Sequence, residues 1–229
     1  VKAELTNRMF DVRHVGYAEG LSSQRVFSIV EDGDGAMWIA TKTGIDRYNG
    51  YTVKNYDLPG NFYYGDLAGR RLYLLYDARQ GLFAYDHTGR IYRYSSIYDH
   101  FEQILHLGHL IQEEVILNKL CLDDDGTWWM GSDKGLYKQE ADNRIVAVLK
   151  GQYVNDIAFA GESLFVGTSN GVWQLSHALP DRKHQLLEGW NVQTLFCDKP
   201  KKELWIGTFG SGLSVMNLNT SKVFTLEGQ

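Results

Sequence analysis

The sequence predicts an all-β chain: four-stranded antiparallel units, about five of them, stacked around an axis as the blades of a β-propeller. Three observations predict it. A short motif recurs at close to the ~40-residue period of propeller blades. Within each copy, apolar and polar residues alternate and β-branched residues are enriched, as strands require. Glycine is common at 24 of 229 residues and proline rare at 3, which suits tight turns between short strands.

The clearest copy is DGDGAMWIATKTGIDRYNG, residues 32–50. LCLDDDGTWWMGSDKGLYKQ (120–139), IAFAGESLFVGTSNGVWQL (157–175) and LFCDKPKKELWIGTFGSGLSVMN (195–217) repeat it, and DLAGRRLYLLYDARQGLFAYD (66–86) is a weaker copy. Trp38, Trp129, Phe165 and Trp205 share one position, with Tyr73 as the expected fifth. Thr41, Ser132, Thr168 and Thr208 follow three residues later. Gly44, Gly81, Gly135, Gly171 and Gly212 are expected to open the next strand, at separations of 37, 54, 36 and 41 residues.

Taken in order, the first copy reads as strand a over 26–31, b over 37–40, c over 44–48 and d over 51–56. DGDG is the a–b hairpin turn, where Gly and Asp tolerate positive φ, and TKTG is the b–c turn. One such sheet cannot bury both faces, so the units stack, with the strand-b aromatic between neighbours. A phosphate loop is excluded because no G-x-x-x-x-G-K-[ST] pattern precedes a helix. A calcium loop is disfavoured because AGES (160–163) replaces the aspartates in a sister copy.

The stretch GLSSQRVFSIVEDGDGAMWIATKTGIDRYNGYTVKNY (20–56) resembles the first repeat of two-component regulator propellers. Gly20-Leu21-Ser22, Asp32, Gly35, Trp38-Ile39, Thr41, Gly44 and Arg47-Tyr48-Asn49-Gly50 carry the likeness, and ELWIGTFGSGLSVMN (203–217) carries it again. Ala40 and Ile45 depart from the usual Gly and Leu. The resemblance implies the periplasmic, ligand-sensing region of a hybrid histidine kinase. Its implied ligand is a glycan or oligosaccharide, and its implied partners are the remainder of the kinase chain and a second copy in a homo-oligomer. No cofactor and no catalytic residue are expected, since no local motif for either occurs. The alternatives are a protein-interaction propeller without a small ligand, or a propeller glycosidase.

Blades are expected at 20–56, 62–94, 116–149, 153–187 and 191–226, with an extra strand at 8–15 that matches a strand d. Since the fifth unit already owns its strand d, the reading is part of a larger ring, seven-bladed by resemblance, with a closed five-bladed ring as the alternative. The long second separation marks an insertion at 95–115, either a short helix with a functional loop or an elongated hairpin.

The formal charge of −5 argues against a dedicated nucleic-acid surface. No apolar run approaches the ~18 residues of a membrane span, and VKAELTNRMFDVRHV has no signal-peptide core, so the chain is cytosolic or its leader is removed. Cys121 and Cys197 each precede a Trp by eight residues, placing them alike in blades three and five, too far apart for a disulfide and buried as thiols. His100, His106 and His109 lack the short-spaced Cys or carboxylate partners of a zinc site, so no metal is expected. DDGTWW (124–129) resembles part of a sialidase box but is a turn element, and neither G-x-S-x-G nor H-E-x-x-H occurs.

Propeller ligands commonly sit on the face made by d–a and b–c loops. The candidate ligand-binding residues there are Arg25, Tyr63, Tyr64, Tyr153 and Trp190 from d–a loops, and Arg79 and Phe209 from b–c loops, which also carry Lys42 and Lys134.

Overall fold

The computed structural model describes residues 13–59, 71–140, 142, 144–176 and 179–226. Among the described residues, twenty strands form five four-stranded antiparallel sheets, each with its strands in sequence order. The first holds β1 (Val26–Glu31), β2 (Met37–Thr41), β3 (Ile45–Tyr48) and β4 (Val53–Tyr56). The second holds β5 (Leu72–Asp77), β6 (Gly81–Asp86), β7 (Arg90–Ser95) and β8 (His100–His106), and a short helix α1 (Leu107–Ile111) follows it. The third holds β9 (Leu117–Leu122), β10 (Trp128–Ser132), β11 (Gly135–Gln139) and β12 (Ile145–Lys150). The fourth holds β13 (Val154–Ala160), β14 (Ser163–Thr168), β15 (Gly171–Ser176) and β16 (Lys183–Leu186). The fifth holds β17 (Val192–Asp198), β18 (Glu203–Thr208), β19 (Gly212–Asn217) and β20 (Val223–Leu226). β1 lies against β5, β5 against β9, β9 against β13 and β13 against β17, so the first strand of each sheet is the inner one.

Because side chains alternate across a strand, each sheet presents one apolar face to the sheet before it and another to the sheet after. Four clusters fill the gaps. Trp38, Ile45 and Tyr56 meet Leu74, Ala84 and Phe101. Phe83, Tyr85 and Ile91 meet Leu120, Trp128 and Met130. Trp129, Leu136 and Leu149 meet Val154, Ile157 and Val166. Phe165 and Val172 meet Val192, Leu195 and Ile206. Among the described residues, no cluster joins the fifth sheet to the first, and the described sheets follow one another as an arc. The strand-b aromatics Trp38, Trp129 and Phe165 are buried in these gaps, whereas Trp205, on the outward flank of the last sheet, is half-exposed.

Polar bonds along the inner strands stitch the arc. β1, β9, β13 and β17 each carry a bulge after their first residue. At two of these bulges an asparagine reaches across: Asn118 Nδ2 donates to the Val154 carbonyl at 2.8 Å, and Asn155 Nδ2 to that of Val192 at 2.7 Å. One residue on, Asp156 Oδ2 accepts from the Leu195 amide at 2.8 Å and from Thr194 Oγ1 at 2.9 Å, while its Oδ1 meets Lys119 Nζ at 2.8 Å. Ser28 occupies the same place in the first sheet and accepts from the Leu74 amide at 3.2 Å.

Three expectations need correction. β5 is the inner strand of the second sheet, so Tyr73 lies on strand a rather than b, and Gly81 opens strand b rather than c. The second sheet accordingly runs to His106, and β8 and α1 occupy most of the expected 95–115 insertion. Cys197 pairs with Leu204, whereas Cys121 pairs with Trp129. Trp205 pairs with Phe196, nine residues back, whereas Trp129 pairs with Cys121, eight back, so between these pairs the β17–β18 connection is one residue longer, and a one-residue slip turns a side chain to the other face. Both cysteines are free thiols, Cys121 buried and Cys197 half-buried. Of the expected 8–15 strand, only residues 13–15 are described, and they are not in a strand.

Candidate functional site

The two ends of the sheets are built differently. At the a–b end, Asp32 Oδ1 accepts the amides of Asp34 at 3.0 Å and Ala36 at 2.9 Å, closing the DGDG turn, and its Oδ2 accepts the Trp38 indole. Asp123 does the same with Asp125, Thr127 and Trp129. Burial opposes the Asp32 charge, but the indole and amide hydrogen bonds, with Arg47 nearby, outweigh it and hold the carboxyl below its usual pKa. With both oxygens committed to protein donors, this turn is structural.

At the other end, Thr41, Ser132, Thr168 and Thr208 donate their hydroxyls to the carbonyls of Gly44, Gly135, Gly171 and Gly212 at 3.0–3.2 Å. In the first, third and fourth sheets a carbonyl requires the glycine: a Cβ at Gly135, where φ is +148°, would lie 2.2 Å from the Leu149 carbonyl oxygen. The residue after each hydroxyl then ties the b–c turn to the preceding d–a loop. Lys42, Asp133, Ser169 and Phe209 amides donate to the carbonyls of Arg25, Ile116, Tyr153 and Asn191 at 2.8–3.1 Å. These bonds put Arg25, Tyr153, Trp190 and Phe209 on one loop face.

Arg25, Tyr153 and Phe209 are exposed there, with the Arg25 guanidinium 5.4 Å from the Phe27 ring centroid. Trp190 is half-buried against the cluster between the fourth and fifth sheets, and its carbonyl accepts from Gly171, so it also packs. Tyr63 and Tyr64 lie outside the described residues. Arg79 is not on this face. Since β5 is a strand a, the turn after it is an a–b turn, and Arg79 there bonds to the carbonyls of Asp123 and Asp124 and to the Asp77 carboxylate.

The loop face holds a feature absent from the expected residues: a cleft of about 850 Å³ between the second and third sheets. Its polar lining includes His87, His106, His109, Glu113, Glu114 and Lys134. The His106 and His109 rings stack at 3.9 Å and 5°. His106 Nδ1 caps α1 by accepting the His109 amide at 3.4 Å. Burial, and secondly the His109 ring, hold His106 below the usual imidazole range. At the cleft margin, burial raises the Tyr137 pKa, and the charges of Glu113 and Asp133 add to the shift. The cleft therefore offers imidazole and ammonium donors beside carboxylate acceptors. Among the described residues, no group of three or more His, Cys, Asp or Glu is placed to hold a metal.

The repeat, the arc of sheets and the loop-face cleft define an array of β-propeller blades. The repeat is of a particular kind: residues 20–43 match the family model described as two component regulator propeller. No curated protein matches the chain. Among solved structures, the chain is similar to the extracellular domain of BT3049 from B. thetaiotaomicron, assigned as a hybrid two component system, at 18% identity and TM-score 0.73. That match covers 93% of this chain and 31% of the other. It is also similar to the extracellular domain of BT4673 from the same organism, assigned as a one component system, at 21% identity and TM-score 0.70, covering 90% and 29%. A chain of the nidogen/laminin complex matches at 13% identity and TM-score 0.62, covering 87% and 78%. The chain thus spans under a third of the length of the two sensor-system structures. Among the described residues, no helix is long and apolar enough to cross a membrane.

Proposed function

We propose that this chain is part of the extracytoplasmic, ligand-sensing propeller of a two-component signalling protein, facing the periplasm and passing its signal to a kinase elsewhere in the receptor. The regulator-propeller repeat at 20–43 carries the proposal. The similarity of 93% of the chain to the extracellular domain of a two component system supports it. In this reading the parent ring is larger than five blades, the receptor is homo-oligomeric, and the chain itself binds no nucleic acid and catalyses nothing.

The ligand in this reading is a glycan or oligosaccharide held on the loop face. Sugars favour concave sites that combine ring platforms with a few directed polar groups. The cleft supplies the polar groups, and Arg25, Tyr153 and Phe209 border the same face, with Tyr63 and Tyr64 as further candidates. Calorimetric titration of the chain with a panel of oligosaccharides tests this. One saccharide class should bind, and His109→Ala or Glu113→Gln should weaken it. If no saccharide binds either the chain or the intact receptor, the glycan reading fails. The exposure of Phe209, 75%, favours a second reading, a protein-docking face without a small ligand. A protein partner whose binding is lost in Phe209→Ala would select it.

A further inference from the structure

We propose that the loop-face cleft continues past the stacked His106 and His109 rings into a second cavity, and that the two form one groove for an uncharged, linear oligosaccharide. The inference rests on the glycan reading of the cleft and narrows it by the charge and length of the ligand.

The second cavity, of about 600 Å³, opens between β8, α1 and the third sheet. His106 and His109 line both cavities, which makes the stacked ring pair their common boundary. Ligand pockets commonly span about 300–1,000 Å³, so each cavity alone is large enough for a small ligand. A ligand that fills both must be extended and must cross the two rings.

The linings argue for the ligand's charge. In the second cavity Trp128, Ile104 and Leu110 supply apolar surface, and Gln103 and Gln139 supply amides. Among the described residues that line it, none is Asp, Glu, Lys or Arg. Apolar surface beside neutral amides suits the C–H faces and hydroxyls of a sugar. A carboxylate or sulfate placed there would shed water with no cation to receive it. In the cleft, three carboxylates stand against one ammonium. That ammonium, Lys134 Nζ, already lies 3.2 Å from the Asp133 carboxylate. The lining offers Glu113 and Glu114 no second Lys or Arg. An acidic sugar would therefore meet like charge in one cavity and no countercharge in the other, which is discrimination by repulsion as well as by fit.

The imidazoles suit the same ligand. His87 Nδ1 accepts the Arg71 amide at 3.1 Å, and His106 Nδ1 accepts the His109 amide at 3.4 Å. Each neutral ring then carries its proton on Nε2, where it can donate to a hydroxyl or ring oxygen. Burial first, and the His109 ring second, keep His106 from charging at neutral pH.

Calorimetry with matched probes tests both halves of the proposal. The probes are the neutral hexamers cellohexaose, xylohexaose, mannohexaose and maltohexaose, their dimers, and the acidic hexamers of galacturonate and mannuronate. At least one neutral hexamer should bind, and more tightly than its dimer. The acidic hexamers should bind about fivefold to tenfold more weakly than that neutral one at low ionic strength. Because Glu113 and Glu114 are exposed, this difference should shrink in ~0.5 M salt. It should shrink likewise in the double variant Glu113→Gln, Glu114→Gln. Gln103 is exposed on β8, so Gln103→Ala should keep the wild-type circular dichroism. That variant should weaken the hexamer about threefold to tenfold and leave the dimer unchanged. An acidic hexamer that binds as tightly as the neutral one, or more tightly, overturns the charge assignment. Equal affinity for dimer and hexamer, or a Gln103→Ala that weakens neither, overturns the second cavity. In those cases saccharide binding itself still stands. If no probe, neutral or acidic, binds the chain or the intact receptor, the glycan reading fails and this inference falls with it.

Discussion

The Trp38 indole donates to the Asp32 carboxylate at 2.7 Å, and Trp129 donates to Asp123 at 2.9 Å across the same six-residue spacing. One carboxylate thereby closes a hairpin turn and satisfies the only polar atom of a core aromatic. The fourth sheet omits both halves together: its aromatic is Phe165, which has no N–H, and its turn carries Gly161-Glu162 in place of the aspartate.

Asp123→Ala should therefore cost about 1–3 kcal/mol, since a buried indole N–H and two turn amides lose their acceptor. Urea unfolding measures it. Trp129→Phe in the Asp123→Ala background should recover part of the loss, because the orphaned N–H is gone.

Asp156 serves three donors from two neighbouring sheets. Asp156→Ala should cost about 2–3 kcal/mol, discounted from a fully buried pair because Lys119 is partly exposed. Burial works against the Lys119 ammonium, but the charge and hydrogen bond of Asp156 outweigh it and raise the lysine pKa. The stability that this shift supplies is complete below the unfolded lysine value, ~10.4, and is lost only as pH rises through the higher folded value. Melting temperature should thus be insensitive to this pair from pH 6 to 9, in our expectation from those reference values.

Glycines of positive φ separate into two kinds. Gly135→Ala meets the Leu149 carbonyl, whereas Gly151, with φ of +71°, has open space for a Cβ. Gly151→Ala should cost only the left-handed penalty, about 1–2 kcal/mol. Gly135→Ala should cost clearly more, and equal losses in denaturant unfolding would refute the distinction.

The His106 ring should titrate below the usual ~6.5, and His109→Ala should raise its midpoint by removing the second of its two causes while burial persists. Proton resonance titration reads both. The sign for stability follows: with the folded value depressed, the contribution is complete above about pH 6.5 and is lost as pH falls, because the unfolded chain takes the proton first.

The all-β repeat was legible because its markers form pairs: Trp with the turn aspartate in the first and third sheets, and Thr or Ser with a glycine that a carbonyl approaches in the first, third and fourth. The second sheet was misread for a related reason. Asp77 Oδ1 accepts the amides of Arg79 and Gln80 at 2.9 Å, much as Thr41 Oγ1 accepts that of Thr43 at 3.3 Å. The two kinds of turn look alike in sequence although they close opposite ends of a sheet, so DARQG passed for a b–c turn and Arg79 went to the wrong face. Loop-face placement of Arg25, Tyr153, Trp190 and Phe209 followed directly from strand order. The cleft did not, since its lining comes from the 87–88, 106–116 and 133–134 segments, which only packing of the second and third sheets unites.

An arc with four filled gaps has a built-in gradient of resistance to opening. A central sheet is held by two neighbours and a terminal sheet by one, and in stacked repeats such nearest-neighbour coupling sets local stability. Amide hydrogen exchange should then be slowest along β9–β15 and fastest in β1–β4 and β17–β20, so that the chain frays from both ends before its middle opens.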